Sequence, residues 1–242
     1  MDIMDTIGEF RPAYTEEQLN GSLSICHACP VLYRFMRDEH IDEFLNAGRL
    51  RISTIPSCRT LKDKKRSDES ESFYQYELKW ADITTDVNAR VGENAFVLCF
   101  SLTQSACHDS SCVSCLEIHH WQPLVLEIGE QLRQQGYPIA EIFTGPCNYA
   151  AKVRSIDMRP MEYKEITTAN NKVIPEKLLS LLVRSGREAF YMTKDFRFAE
   201  EHEYRFLWLS NIPVKPTFVT TQNPERFGCK VSAIGSTYES NG

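Results

Sequence analysis

The chain has 242 residues, of which 42% are hydrophobic and 25% are charged, the proportions of an ordinary soluble globular protein. We expect residues 1–242 to form one domain. The formal net charge of −6 argues against a general affinity for the nucleic-acid backbone, which favours basic surfaces. No apolar run approaches membrane-spanning length, and the segment from Met1 to Asp5 is acidic where a secretory signal is basic. We therefore expect a cytoplasmic protein without a membrane anchor.

The start of the chain predicts an irregular arm followed by a strand. Residues 1–25 mix Pro, Gly, Thr and Ser without periodicity and are expected to form a loosely docked arm. The apolar run from Val31 to Met36 predicts a strand in which Arg34 is the only charge. An arginine in a buried strand needs a partner, which is either an internal carboxylate or an anionic ligand such as a diphosphate.

Residues 38–94 predict a helix, two strands and two polar connections. A helix is expected from Asp38 to Gly48, followed by a strand at Leu50 to Ile52. The charged stretch 60–72 is typical of a solvated loop. Alternating aromatic residues predict a strand over 73–80, and the polar segment from Thr84 to Asn94 is interpreted as a connection.

The unbroken apolar run from Ala95 to Thr103 predicts a central strand that is buried on both faces. This run ends in two hydroxyl side chains, Ser101 and Thr103, two positions apart. Hydroxyls at the end of a strand commonly bond to the neighbouring backbone, and they can also position a ligand.

The second half of the chain predicts alternating strands and helices. A strand at 116–118 and a helix from 121 to 135 are expected first. Two strands, Ile139 to Phe143 and Cys147 to Val153, are then predicted around a turn at Thr144-Gly145-Pro146, before a helix from Pro175 to Val183. A last strand is expected from Thr217 to Thr220, and residues 238–242 are expected to be frayed.

The stretch from Glu201 to Trp208 has the strongest pattern in the chain. Its side chains alternate, which predicts a strand with an aromatic core face and a second face carrying Glu201, Glu203 and Arg205. Two carboxylates at this spacing stand roughly 6–7 Å apart and can engage one small molecule. The alternative is a solvated strand face on which the glutamates and Arg205 balance each other.

The nine cysteines indicate reduced thiols, some of which are candidates for metal binding. The possible zinc ligands are Cys26, Cys29, Cys107, Cys112, Cys115, His119 and His120. These groups are widely separated, so zinc is a possible cofactor and we assign no residue as a metal ligand. Cys115 also opens an apolar run in which a buried thiol is simply a small hydrophobic group.

The strand-rich pattern predicts an α+β class with a mixed, mostly antiparallel split β-sheet and interspersed helices. The sequence contains no Gly-rich phosphate loop, no Ser nucleophile elbow and no HExxH helix motif. These absences remove several common classes of enzyme.

The chain resembles an uncharacterised bacterial family called domain of unknown function 2971. The motifs that carry this resemblance are Lys194-x-x-x-Phe198-x-x-Glu201-x-Glu203-Tyr204-Arg205-Phe206, Cys99-Phe100-Ser101-Leu102 and Leu32-Tyr33-Arg34-Phe35. The order of an early Arg, a strand ending in Ser and a late Glu-x-Glu also resembles the Arg-Ser-Glu layout of mono-ADP-ribosyltransferases.

The second resemblance implies cleavage of NAD with transfer of ADP-ribose to an unknown acceptor macromolecule, or NAD hydrolysis, in bacterial defence or stress. Glu203 would stabilise the cation that forms at the ribose, and Glu201 would orient or deprotonate the acceptor. The residues implied to bind NAD are Arg34, Ser101, Thr103 and Tyr149.

Two other hypotheses for the function do not involve NAD cleavage. The chain could be a non-catalytic binding or interaction module in which Arg34, Glu203 and Arg205 form a buried polar network that fixes the fold. It could also be a zinc-stabilised adaptor that uses the cysteine clusters. Pairing of Arg205 with Glu203 would favour a structural role for that pair.

Overall fold

The structure is a computed structural model, and the residues that it describes are 30–60, 73–80, 83–105, 114–150, 153–157, 160–170, 172, 174, 177–178 and 191–233. The predicted arm 1–25, the tail 238–242 and most of the helix predicted from Pro175 to Val183 lie outside these residues. The class is α+β, as predicted, with helices beside a mostly antiparallel open sheet.

Helices are short and lie between strands. The α-helices within the described residues are α1 (Asp38–Ala47), α2 (Ile55–Arg59), α3 (Trp121–Gln134) and α4 (Pro160–Ile166). Two further segments, Phe196–Glu201 and Pro224–Arg226, are 3-10 helices. Gly48 ends α1 in a left-handed conformation, and its N–H donates to the Phe44 carbonyl at 2.7 Å, as the glycine after a predicted helix would do.

Strands outnumber helices in the described part of the chain. In chain order they are β1 (Leu32–Phe35), β2 (Arg49–Thr54), β3 (Phe73–Trp80), β4 (Ile83–Arg90), β5 (Ala95–Ser101), β6 (Ser114–Ile118), β7 (Ile139–Pro146), β8 (Asn148–Tyr149), β9 (Val153–Asp157), β10 (Thr193–Lys194), β11 (Glu203–Ser210), β12 (Thr217–Thr220) and β13 (Gly228–Ser232).

The main sheet has eight strands and is built around the pairing of β5 with β11. Its order is β12-β2-β5-β1-β6-β13, with β11 beside β5 and β7 beyond β11, and its printed pairs are antiparallel. β5 pairs along its length with β11, whereas β2 and β1 share its other side. The predicted central strand is therefore confirmed as the middle of the sheet.

Two smaller sheets carry the parallel pairs. β3 pairs antiparallel with β4 and parallel with β9, and the short strands β8 and β10 pair in parallel. The prediction of a mixed and split sheet is thus confirmed. The β8–β10 pair matters for the site because it places Lys194 directly opposite Tyr149.

One face of the main sheet packs against α3 through aromatic side chains. The ring of Phe206 lies 4.6 Å from that of Phe100 and 5.7 Å from that of Trp121, measured between centroids. The indole N–H of Trp208 donates to the Val125 carbonyl at 3.1 Å, which satisfies its polar atom inside the core. Each such buried aromatic contributes about 1.5–3 kcal/mol through the hydrophobic effect. The aromatic core face predicted from the alternation is confirmed.

Two predicted connections are strands instead. The segment predicted to be a polar connection, Thr84 to Asn94, contains all of β4 except its first residue, and β4 pairs with β3 over its length. Its β-branched and polar residues alternate, which is a pattern that favours a strand. The predicted turn Thr144-Gly145-Pro146 lies within β7, opposite Arg205 and its neighbours. Pro146 is tolerated there because it is the last residue of its strand.

None of the helices among the described residues has both the length and the apolar character needed to cross a membrane.

Gly48, at the end of α1, lies very close to the backbone just after β12, and Gly136 provides a comparison without such a contact. Gly48 and Gly136 both have positive φ, but a Cβ on Gly48 would lie 1.9 Å from the Thr221 carbonyl oxygen, whereas a Cβ on Gly136 meets nothing within 4 Å. We expect Gly136→Ala to lower the free energy of unfolding by about 1–2 kcal/mol through backbone strain. Gly48→Ala should cost about 1–3 kcal/mol more, because the chain must move apart. Urea unfolding of both variants measures the difference, and equal losses would contradict the close approach.

Candidate functional site

The strand that carries the candidate carboxylates begins at Glu203, not at Glu201. Residues Phe196–Glu201 form a 3-10 helix, and His202 has φ 45° and ψ 45°, a left-handed conformation that turns the chain into β11. The predicted i, i+2 relation of the two glutamates along one strand is therefore wrong. The two carboxylates still come together, but they do so around a third residue.

That residue is Lys194, which lies between the two glutamates. Its Nζ is 2.5 Å from Glu203 Oε2 and 2.5 Å from Glu201 Oε2. The other oxygen of Glu203 accepts a hydrogen bond from Arg205 Nε. We call these four side chains the ion cluster. It holds two cations and two carboxylates, so it is neutral when all four groups are ionised.

The ion cluster is buried around Glu203 and opens at Glu201. The side chain of Glu203 is only 5% exposed, and those of Arg205 and Lys194 are similarly buried, whereas that of Glu201 is 25% exposed. The predicted alternative of a solvated strand face is therefore wrong, since β11 is buried on both faces. Pairing of Arg205 with Glu203 is found as the structural hypothesis expects, whereas Arg34, the third residue of the predicted network, contacts Cys99 and Phe100 instead.

Backbone contacts hold the ion cluster in place. The backbone N–H of Glu203 donates to the Tyr149 hydroxyl at 2.7 Å. Nη1 of Arg205 donates to the Tyr191 carbonyl at 2.6 Å. Tyr149 and Lys194 are opposite each other in the β8–β10 pair. This short parallel pair therefore positions both a cation of the ion cluster and the hydroxyl that accepts a hydrogen bond from β11.

The electrostatics of the two glutamates differ in direction. Burial alone would raise the pKa of Glu203, but Arg205 and Lys194 outweigh it and hold this pKa well below its ordinary value. Burial raises the pKa of Glu201, since Lys194 offsets it only in part and the neighbouring Glu203 charge adds to it. Burial also raises the pKa of the Tyr149 hydroxyl to about 12, so this group keeps its proton at neutral pH.

Ser101 and Thr103 lie next to the ion cluster. Ser101 is directly opposite Glu203 in the β5–β11 pair, so the two side chains share a face of the sheet. The Ser101 hydroxyl oxygen accepts a hydrogen bond from the Thr103 backbone N–H at 3.0 Å, and the two hydroxyl oxygens are 3.4 Å apart. Ser101 therefore makes the backbone contact expected of a hydroxyl at a strand end.

Arg34 is on the other face of the sheet. Tyr33, its neighbour, is opposite Ser101, so the alternation along β1 directs Arg34 away from Ser101 and Glu203. Its Nη1 donates to the Cys99 carbonyl at 2.6 Å, and its guanidinium carbon lies 5.8 Å from the Phe100 ring centroid. The structure thus brings Glu201, Glu203, Ser101, Thr103 and Tyr149 together, and it separates Arg34 from them.

The register of five strands places a line of polar side chains across one face of the sheet. Cys229 is opposite Glu117, Glu117 is opposite Tyr33, Tyr33 is opposite Ser101, and Ser101 is opposite Glu203. We call these five residues the polar row. The ion cluster is at one end of the row, and Cys229 is at the other.

The predicted zinc ligands are mostly beyond the described part of the chain. Cys26, Cys29, Cys107 and Cys112 lie outside the described residues. Cys115 is fully buried in β6, where it behaves as the small hydrophobic group that the sequence allowed. His119 lies instead near Glu117, with its Nε2 2.8 Å from Glu117 Oε1.

Sequence reasoning assigned no role to Lys194 or Glu117. Lys194 belongs to the quoted motif, and it follows the apolar run Phe190-Tyr191-Met192, which is the one signal that a cation at this position would be buried. Glu117 lies in the apolar run after Cys115 and reaches the polar row only through its partners in β1 and β13.

No protein-family model, no curated protein and no solved structure matches this chain. The resemblances drawn from its motifs therefore stay predictions.

The ion cluster predicts a large stability effect of a single change. Glu203→Gln keeps the shape but leaves two buried cations near one remaining carboxylate, and we expect it to lower the free energy of unfolding by about 3–5 kcal/mol. Glu43→Gln is a matched control, since Glu43 pairs with Arg49 at the surface and should contribute about 0–1 kcal/mol. Urea unfolding of both variants at neutral pH provides the comparison, and similar losses would contradict the buried cluster.

The opposite pKa directions of the two glutamates predict opposite effects on acid stability. The lowered pKa of Glu203 gives stability that is present above about pH 4.3, the ordinary pKa of Glu, and is lost as pH falls toward the folded-state pKa. The raised pKa of Glu201 gives stability that is present below that pH and is lost as pH rises through its folded-state pKa.

Unfolding measured between about pH 3 and 5 should therefore show a shallower rise of stability with pH in Glu203→Gln than in the wild type. Glu201→Gln should show a steeper rise, because it removes the carboxyl whose contribution to stability falls as pH rises. A change of slope in the same direction for both variants would overturn this assignment.

Proposed function

We propose that this chain is a non-catalytic binding or interaction module in which the ion cluster fixes the fold. The observation that carries the proposal is the state of Glu203, whose two carboxylate oxygens are both engaged, by Arg205 and by Lys194, at 5% exposure. A carboxylate in this state has its charge balanced and an acceptor site on each of its oxygens occupied.

The chemistry of NAD cleavage explains why this observation supports the proposal. Breaking the nicotinamide–ribose bond develops positive charge on the ribose, and a catalyst stabilises that charge with a carboxylate that the sugar can contact. Glu203 would have to exchange two cations for the substrate before it could act. Arg34, the residue implied to bind the diphosphate, is on the opposite face of the sheet.

One concave surface among the described residues is distant from the ion cluster. An open depression of about 290 Å³ is lined by Arg133, Gly136, Tyr137, Pro138, Ile139 and Asn211. Ile139 is paired with Ser210, at the other end of β11 from Glu203. A ligand in this depression would therefore not reach the predicted catalytic residues.

NAD cleavage is kept as a second candidate because of two observations. Ser101 lies directly opposite Glu203, as the resemblance to mono-ADP-ribosyltransferases implies for a residue that positions the glutamate. Glu201 is the partly exposed member of the ion cluster and has a raised pKa, which suits a carboxyl that exchanges a proton with a substrate. In this candidate NAD is the substrate and the acceptor is a macromolecule that the residues do not identify.

We further propose a cytoplasmic location. The described cysteines are thiols and are not joined in disulfides, which is the state that a reducing compartment maintains. They are Cys58, Cys99, Cys115, Cys147 and Cys229.

The proposed function predicts that the purified chain does not turn over NAD. NAD labelled in its adenylate part is incubated with the protein, alone and with an extract of bacterial cells as a source of acceptors, while nicotinamide release and labelling of macromolecules are followed. We expect neither signal to rise above that of a protein-free control, because Glu203 is neutralised and inaccessible.

Glu201→Gln and the surface control Glu43→Gln are assayed in parallel. Nicotinamide release or labelling by the wild type that falls at least tenfold in Glu201→Gln and persists in Glu43→Gln would overturn the non-catalytic proposal and establish the second candidate. Glu201→Gln is chosen over a change at Glu203 because its side chain is less buried, so this variant is expected to lose less stability.

A further inference from the structure

A second cluster of reactive side chains lies at the end of the polar row that is distant from the ion cluster. It consists of Glu117 on β6, Cys229 on β13 and His119, which directly follows β6. The possible ligand atoms of these three residues, a carboxylate oxygen, a sulfur and an imidazole nitrogen, all lie within 4.8 Å of one another.

Backbone pairing brings the three residues together. Cys229 is directly opposite Glu117 in the antiparallel pair of β13 with β6. The preceding Gly228 approaches β6 so closely that a Cβ there would lie 1.8 Å from the Glu117 carbonyl oxygen. The backbone N–H of His119 donates to the Phe227 carbonyl at 2.9 Å, which fixes His119 beside the start of β13. The convergence is therefore set by the sheet and does not depend on flexible side chains alone.

We propose that Glu117, His119 and Cys229 bind a zinc ion. Thiolate, imidazole and carboxylate are the three ligand types that zinc takes in proteins, at about 2.0–2.3 Å, and a tetrahedral ion at those distances has ligand atoms that fit within the observed separation. The mixture of one soft sulfur with nitrogen and oxygen favours zinc over the hard ions magnesium and calcium, which prefer oxygen alone.

Three protein ligands leave the fourth tetrahedral position for water or another small ligand, the arrangement found in zinc sites that react. His119 and Cys229 are exposed, so this position faces solvent. Binding would release the thiol proton of Cys229 to solvent and would replace the direct contact between His119 and Glu117. The site does not involve the ion cluster and does not depend on the proposed function.

Tyr33 supports the carboxylate ligand from the middle of the polar row. It is opposite Glu117 in the β1–β6 pair, so the two side chains are neighbours on one face of the sheet. A hydrogen bond from the Tyr33 hydroxyl would fix the orientation of a metal-binding carboxylate. We assign Tyr33 as a positioning residue, not as a ligand.

The test is zinc titration of the full chain after removal of metal and reduction of its thiols, in competition with a chromophoric chelator. We expect one equivalent to bind at this site. Cys229→Ser and His119→Gln should each weaken that equivalent by more than about 100-fold, since losing a ligand exceeds the effect of losing a supporting hydrogen bond. Tyr33→Phe should weaken it by about 10–100-fold. His120→Gln, a change in the adjacent exposed histidine, is the matched control and should bind as the wild type does.

Cobalt supplies a second, spectroscopic measurement. Co²⁺ at the proposed site should show the visible absorption of a tetrahedral ion and a charge-transfer band from a single thiolate, both absent in Cys229→Ser. The proposal is overturned if the wild type binds no zinc. It is also overturned if Cys229→Ser retains full affinity while a double change, Cys107→Ser with Cys112→Ser, abolishes binding, since zinc would then occupy the cysteine cluster.

Discussion

The constraint on which the structure depends is charge neutrality in a buried site. Burying an ion costs several kcal/mol unless it is paired and hydrogen-bonded, and β11 buries both Glu203 and Arg205. Lys194 provides a second cation, and Glu201 provides the carboxylate that balances it. Because these groups come from β10, from the 3-10 helix before β11 and from β11 itself, neutrality is reached only when the three segments are assembled. This requirement is the physical basis of the proposal that the ion cluster fixes the fold.

The same neutrality limits what the ion cluster can do chemically. A carboxylate that stabilises a developing cation must present uncompensated charge, whereas the charge of Glu203 is already balanced by two permanent cations. The two ends of the polar row differ in burial and in charge pairing. Its buried end is closed by ion pairs, and its exposed end carries Cys229, which is exposed, and Glu117, which is partly buried. Reactive chemistry is better supported at the exposed end than at the residues that the motif first indicates.

Local periodicity accounts for the parts of the fold that the sequence predicts well. The aromatic face of β11 and the limits of β12 follow from alternation that the packed structure preserves. The errors occur where local chemistry and pairing disagree. Thr144 to Pro146 has the composition of a turn but continues as a strand because β11 supplies its partners, and Glu201 continues the alternation but lies in a 3-10 helix because His202 adopts a left-handed conformation.

The site is harder to predict because strand register decides which side chains meet, and these strands are distant in sequence, so no short turn between them fixes their register. Placing Tyr33 opposite Ser101 sends Arg34 to the other face, and a shift by one residue would reverse the two. The residues of the quoted motifs are therefore correct as members of neighbouring strands, but their chain order does not show that they share a face. Glu117 and Cys229 are the converse case. Nothing in the sequence links them, and register alone makes them neighbours and gives the sheet its candidate metal site.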